Sequence, residues 1–191
     1  MTSPIAPLRT ADPQACIDAA YALGVPRDYG RVRSLRRMRE PAALASIGFD
    51  TQGREQFLAA RAARAWARMR EAAARDGVEL QVASAFRSIE YQLGIIRRKL
   101  ERGQSMDEIL RVSAAPGYSE HHTGRALDIT TSGFASLEEE FERSPAFAWL
   151  HKNARSYQFA LSYPRGNPHG IAYEPWHWCW HARSQRTNRA R

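Results

Sequence analysis

The sequence predicts a single domain in which α-helices and β-strands share one core. Its 191 residues are enough to bury a sizeable core. The composition, with 43% hydrophobic and 25% charged residues, is typical of a globular protein. Segments with helical spacing of apolar residues and segments with strand spacing both occur along the chain. These observations exclude a disordered chain.

Several segments have the apolar spacing and the capping residues of helices. The strongest prediction covers residues 54–76, which are rich in Ala, Arg and Glu and are followed by Gly77. Ser88 can cap another helix, which runs to Gly103. Further helices are predicted at residues 13–23, 105–112 and 137–154, the last with an interruption near Pro145.

Strands are predicted where apolar and polar residues alternate, at residues 78–83, 126–130, 159–164 and 171–181. A short turn joins the first of these strands to the helix that begins at Ser88, and this turn contains Arg87. An arginine at such a junction can present its donors to a carboxylate or an oxyanion, and a solvated surface arginine is the alternative. Residues 1–50 lack a long periodic segment and are predicted to be an N-terminal appendage packed on the core.

The chain is basic, with 28 Lys and Arg against 20 Asp and Glu and a formal net charge of +8. This charge favours an anionic partner, and nucleic acid, an acidic membrane surface or an anionic cell-wall polymer would each satisfy it. The basic cluster at residues 31–39 is interpreted as a solvated face. Cys16 and Cys179 are too few for a disulfide framework. No apolar run approaches the length of a membrane span.

Residues 119–129 pair a histidine with an aspartate around Gly124. On an ideal helix, His121 and Asp128 would lie about 10.5 Å apart along the axis, which is too far for them to share one ion. A turn at Gly124 followed by a strand would instead bring Asp128 back towards His121. This stretch therefore predicts two of the ligands of a metal ion.

The last predicted strand contains further candidate ligands. Strand periodicity places His177, Cys179 and His181 on one face and the tryptophans of this segment on the other. Neighbouring residues on one face are about 6.5 to 7 Å apart, so only one of the three is expected to share the ion. Glu174 precedes His177 by three positions and could reach a water at the metal, which favours His177.

Two imidazoles and one carboxylate, with a fourth position left for water, are typical of a catalytic zinc site rather than a structural one. Zinc would activate that water for attack on a carbonyl, and Glu174 would accept its proton. Taken singly, each histidine is more often a core or surface residue than a ligand. The prediction of a zinc site therefore depends on His121, Asp128, Glu174 and His177 occurring together.

These motifs resemble those of the VanY-like D-alanyl-D-alanine carboxypeptidases, in a group of zinc peptidases that includes VanX and the Hedgehog signalling domain. The resemblance covers roughly residues 78–181. It rests on Ser119-x-His121-x-x-Gly124-x-Ala126-x-Asp128 and Glu174-x-x-His177, together with Ser84-x-x-Arg87-Ser88 and Tyr91-Gln92.

The resemblance implies an α+β fold of the Hedgehog and DD-peptidase type, with an antiparallel sheet flanked by helices. It implies a catalytic domain over residues 51–191, following the N-terminal appendage. One zinc ion would be bound by His121, Asp128 and His177, and Glu174 would be the catalytic base.

The resemblance also implies roles in substrate binding. Arg87 would stabilise the substrate carbonyl or the developing oxyanion, and Ser119 and Gln92 match positions near the terminal D-alanine. The Ser-x-His spacing favours His121 over the adjacent His122 as the metal ligand.

The implied reaction is hydrolysis of the terminal D-Ala-D-Ala bond of a peptidoglycan stem peptide by a monomer, without a nucleic-acid partner. The alternatives are an L,D-carboxypeptidase, a DD-dipeptidase or a lysin-type endopeptidase, and more distantly a noncatalytic polyanion-binding module. Roles for Cys179 and His181 at the metal site stay open. The substrate class predicts the cell envelope or periplasm, whereas residues 1–8 lack the pattern of a signal peptide and leave a cytoplasmic location open.

Overall fold

The computed structural model describes residues 11–182. The described part begins with two helices, α1 (Pro13–Ala22) and α2 (Tyr29–Val32). Asp12 caps α1 because its carboxylate accepts a hydrogen bond from the amide of Ala15 at 3.1 Å. The predicted helix at residues 13–23 is confirmed. Residues 1–8, which lack the sequence pattern of a signal peptide, lie outside the described residues.

A β-hairpin follows, where the sequence predicts the start of a long helix. Its strands are β1 (Ala45–Phe49) and β2 (Glu55–Leu58), and α3 (Ala60–Arg75) begins only after it. The buried carboxylate of Asp50 accepts hydrogen bonds from the amides of Gln52 and Arg54 and from the side chains of Arg54 and Gln56. The prediction of helix over residues 54–58 is wrong because this turn and the strand pairing override helical propensity.

The main sheet has four antiparallel strands in the order β3-β4-β6-β5. They are β3 (Gln81–Ser84), β4 (Ala126–Thr130), β5 (Phe159–Leu161) and β6 (His177–Trp180). All five residues of β4 are buried, since β4 lies between two other strands. The strand predicted at residues 126–130 is confirmed.

The last predicted strand is shorter than expected. Residues 171–176 form a loop, because their amides bond outside the strand ladder: Ala172 donates to Arg111 and Glu174 donates to Tyr163. Pro175 has no amide to donate. The predicted strand is therefore wrong before residue 177, and this loop places Glu174 beside the start of β6.

Three further α-helices complete the described part of the chain. They are α4 (Ile89–Glu101), α5 (Met106–Val112) and α6 (Pro145–Asn153). Ser88 caps α4 as the sequence predicts, and Ser105 caps α5. The segment predicted as an interrupted helix consists of a 3-10 turn (Glu139–Arg143) and then α6, which begins at Pro145.

Two hydrophobic clusters hold these elements together. The larger cluster packs α3 against the sheet and contains Trp66, Leu127, Ile129, Trp178 and Trp180. The second cluster joins α1 to α4 and α5. The described part of the predicted N-terminal appendage thus contacts the core through α1 and β1, and its status as a separate unit stays a prediction.

Candidate active site

Three buried side chains converge on the face of the main sheet opposite the tryptophans. His121, Asp128 and His177 are each at most 3% exposed. One potential ligand atom from each lies within 4.8 Å of the other two. Their composition of two imidazoles and one carboxylate suits a zinc ion.

The fold explains why these residues meet. Asp128 and His177 are direct partners in the register of β4 and β6. His121 lies on a 3-10 turn (Glu120–Thr123), which Gly124 ends with a φ of 61° before β4 begins. A Cβ at Gly124 would lie 2.8 Å from the backbone nitrogen of Ala59, so this tight approach requires glycine. The predicted turn between the histidine and the aspartate is confirmed.

The ring of His121 is held in one orientation. Its Nδ1 donates to the carbonyl oxygen of Ala85 at 2.5 Å, so Nε2 carries the lone pair. Nε2 lies 3.2 Å from Oδ2 of Asp128 and is buried without a hydrogen-bond partner among residues 11–182. Burial and the charge of Arg87 lower the pKa of His121 to about 4, which keeps the ring neutral. A buried lone pair of this kind fits a metal ion.

The ring of His177 lies between carboxylates. Its Nδ1 is 3.1 Å from Oδ1 of Asp128 and 3.7 Å from Oε2 of Glu174, while Nε2 is 3.0 Å from Oε2 of Glu120. Burial opposes a charge on His177, but the bonds to Asp128 and Glu120 raise its pKa to about 10. Burial opposes the charge of Asp128, but its contacts with His121 and then His177 lower its pKa. A metal ion would replace the proton on Nδ1.

Glu174 lies beside this cluster with a side chain only 12% exposed. Burial raises its pKa to about 7, although the charge of His177 opposes this and that of Asp128 adds to it. A pKa near neutrality suits a group that accepts and returns a proton.

Arg87 lies next to the cluster, three residues after the end of β3. Its carbonyl oxygen accepts a hydrogen bond from Nδ1 of His122 at 2.7 Å, and its amide donates to the carbonyl of His121 at 3.4 Å. Within the described residues, its Nε is buried without a hydrogen-bond partner. The backbone of Arg87 is thus fixed by the histidine turn, and its side chain has a donor free for a ligand.

His122 cannot serve as an alternative ligand, because both of its ring nitrogens are in use. Nδ1 donates to Arg87, and Nε2 accepts from the amide of Gly117 at 3.2 Å. Burial lowers the pKa of His122 to about 3. Cys179 and His181 do not belong to the three-residue cluster found in the described part of the chain; Cys179 is buried, and His181 is exposed.

The two predicted substrate-binding residues are both buried. Ser119 is buried and immediately precedes the histidine turn. Gln92 donates to the carbonyl of Ala114 at 2.9 Å, and its Oε1 is buried without a partner among the described residues. Their roles towards a substrate stay predictions.

Two charged residues near the site were missing from the sequence prediction. Lys99 donates to the hydroxyl of Ser113 at 3.1 Å. Burial and the charge of Arg87 lower its pKa, whereas Glu174 acts in the opposite direction, so Lys99 interacts electrostatically with both. Glu120 contacts His177 directly, and although burial opposes its charge, this contact lowers its pKa to about 2. The sequence offered one signal for Lys99, because Lys99 and Lys152 are its only lysines.

Comparison with known proteins identifies the family. The pattern of the family described as VanY, D-alanyl-D-alanine carboxypeptidase, matches residues 55–183. The chain belongs to this VanY family. A putative carboxypeptidase, YodJ of Bacillus subtilis, is 34% identical over 137 residues, which are 69% of this chain and 49% of YodJ. The chain thus spans about half the length of this curated relative.

Solved structures of the VanY group share the fold. The LD-carboxypeptidase LdcB is 31% identical with a TM-score of 0.66, over 74% of this chain and 69% of LdcB. A mutant of the D,D-pentapeptidase VanY in complex with Zn(II) is 27% identical with a TM-score of 0.57, over 76% of this chain and 84% of that one. The predicted α+β fold with antiparallel strands and the predicted family are both confirmed.

Proposed function

We propose that the protein is a zinc-dependent carboxypeptidase that removes the terminal D-alanine from peptidoglycan stem peptides ending in D-Ala-D-Ala. The buried cluster of His121, Asp128 and His177, with Glu174 beside it, carries this proposal. Membership of the VanY family and the Zn(II) complex of a relative support it. The net charge of +8 suits an anionic wall.

One zinc ion fits the donor set. Nε2 of His121 has a free lone pair, Asp128 offers a carboxylate oxygen, and Nδ1 of His177 faces the same point. Zinc bound there supplies Lewis-acid activation of water and of the scissile carbonyl.

The residues of the chain account for the remaining chemistry. Glu174 accepts the proton of the attacking water and returns it to the leaving amine, which its pKa of about 7 permits in both directions. The unpaired donor of Arg87 stabilises the charge that develops on the carbonyl oxygen.

Cations near the cluster suit the free carboxylate of a C-terminal residue. Arg87 and Lys99 provide positive charge on the side of Glu174. Ser119 and Gln92 are proposed to contact the terminal D-alanine, and the unpaired Oε1 of Gln92 can accept a hydrogen bond from a substrate N–H. These features favour removal of a terminal residue over cleavage within a cross-linked wall.

An L,D-carboxypeptidase is the second candidate. LdcB, an LD-carboxypeptidase, has a higher TM-score and identity to this chain than the VanY structure bound to Zn(II) has. The proposed zinc chemistry serves both reactions, and the pocket for the residue before the scissile bond distinguishes them.

The decisive experiment incubates the zinc-loaded protein with a stem pentapeptide ending in D-Ala-D-Ala and with the tetrapeptide that ends in a single D-alanine. Loss of one alanine mass from the pentapeptide alone supports the D,D-carboxypeptidase. Cleavage of the tetrapeptide supports the L,D-carboxypeptidase, and release of a dipeptide supports the DD-dipeptidase. Solubilisation of cross-linked wall supports the endopeptidase. No hydrolysis, together with salt-sensitive binding to a polyanion, would support the noncatalytic module.

A variant tests the proposed base. Glu174→Ala should retain stoichiometric zinc but lose release of D-alanine, and the exposed Glu140→Ala serves as the matched control. Full activity of the Glu174→Ala variant would show that another group accepts the proton.

The proposed substrate implies that the protein acts at the cell envelope. The protein is further proposed to be a monomer. Among the helices of residues 11–182, none combines the length and the apolarity needed to cross a bilayer. Cell fractionation tests the location, and light scattering tests the oligomeric state.

A further inference from the structure

Glu120 is adjacent in sequence to the proposed ligand His121, but its carboxylate contacts the other proposed imidazole ligand. Oε2 of Glu120 lies 3.0 Å from Nε2 of His177. This is the ring nitrogen on the side away from Asp128 and Glu174, which both face Nδ1. Glu120 therefore contacts His177 without occupying the position of the metal.

Ser162 holds the carboxylate of Glu120 in place. Its hydroxyl donates to the same Oε2 atom at 2.6 Å. Ser162 directly follows β5, and its amide donates to the carbonyl oxygen of His177 at 3.4 Å. The side chain of Glu120 is 18% exposed, so its charge is only partly screened by solvent.

The geometry points to Glu120 as a positioning residue for the metal site, with Ser162 orienting its carboxylate; this inference rests on the zinc site proposed above. A neutral imidazole has one N–H and one lone pair. An ionised carboxylate only accepts, so with zinc in place of the proton on Nδ1, Glu120 would hold the remaining N–H at Nε2.

The two proposed histidine ligands are thus anchored differently. The carbonyl of Ala85 holds His121, whereas a carboxylate holds His177. An anionic acceptor makes the bound imidazole a stronger donor to the metal than a neutral carbonyl does. Loss of Glu120 should therefore weaken zinc binding without removing any ligand.

The experiment measures zinc affinity by competition with a chelator for the wild-type protein and for Glu120→Ala, Glu120→Gln and Ser162→Ala. Removal of such an outer partner typically weakens metal binding by about 10- to 100-fold, which is the expectation for Glu120→Ala. Glu120→Gln should lose less zinc affinity, since its amide oxygen can still accept the N–H at Nε2 of His177. Ser162→Ala should lose less than Glu120→Ala, because it disturbs only the orientation of the carboxylate.

Two further readouts separate positioning from a structural role. The absorption spectrum of the cobalt-substituted protein should change in Glu120→Ala, because it reports the geometry around the metal. Glu140→Gln, which removes an exposed charge, should leave affinity and spectrum unchanged. Thermal melting of the metal-free variants tests their folding, and Glu120→Gln carries the experiment if Glu120→Ala does not fold.

The inference is overturned if the folded Glu120 variants bind zinc within twofold of the wild-type affinity and their cobalt spectrum is unchanged. Glu120 would then be only an ion-pair partner of His177. A wild-type protein that binds no zinc would instead overturn the zinc site itself.

Discussion

Replacement of Glu174 by glutamine tests the electrostatics of the site without any substrate. Burial raises the pKa of Glu174 from an ordinary value of 4.5 to about 7 in the metal-free protein. Folding therefore favours the protonated carboxyl group. The associated stability is fully present below pH 4.5 and is lost as the pH rises through 7.

The magnitude follows from the two pKa values. Each pKa unit corresponds to about 1.4 kcal/mol, so ionisation of Glu174 should lower the free energy of unfolding by about 3 kcal/mol between roughly pH 4 and pH 8. Glu174→Gln stays neutral over this range. Its stability relative to the wild-type protein should therefore rise with pH by about that amount.

The assay is urea denaturation of both metal-free proteins at several pH values across this range, with the exposed Glu140→Gln variant as control. The difference between wild type and Glu174→Gln cancels the titration of distant groups and retains that of Glu174 together with its neighbour His177. Saturating zinc should reduce the difference, because the cation favours the ionised carboxylate. A pH-independent difference between the two metal-free proteins would refute the assignment of a raised pKa to Glu174.

Other perturbations test the parts of the fold that support the site. Asp50→Ala should lower the free energy of unfolding by about 3 kcal/mol in chemical denaturation, because it leaves several donors of the hairpin turn without their acceptor; an effect below about 1 kcal/mol would contradict this. Gly124→Ala should lower the free energy of unfolding by about 2 kcal/mol and weaken zinc binding, because position 124 combines a φ of 61° with a close approach to Ala59. Unchanged zinc affinity would show that this turn does not position the ligand. Removal of zinc by a chelator should lower the melting temperature, and re-addition should restore it. Free zinc at a thousandfold excess over Kd should raise the free energy of unfolding by about 4 kcal/mol. A melting temperature that responds to neither step would exclude zinc binding to the folded state.

Local features of the fold were predicted well from the sequence. The serine cap of α4 and the turn at Gly124 depend on contacts over a few positions, which the residue types alone indicate. The strand with Asp128 was predicted for the same reason. The hairpin before α3 was not, because pairing with β1 overrides the helical propensity of residues 54–58.

The sequence by itself therefore determined the family, the candidate ligands His121, Asp128 and His177, and Glu174 as the candidate base. Only the tertiary structure showed that His122 has both nitrogens occupied and that Glu120 contacts His177. The latter contact joins residues 57 positions apart, across the turn, β4 and the loop before β6. No local periodicity encodes such a contact, because it arises from the packing of separate strands. The sequence indicated the candidate ligands, and the packing of the sheet decided which of their atoms face one another.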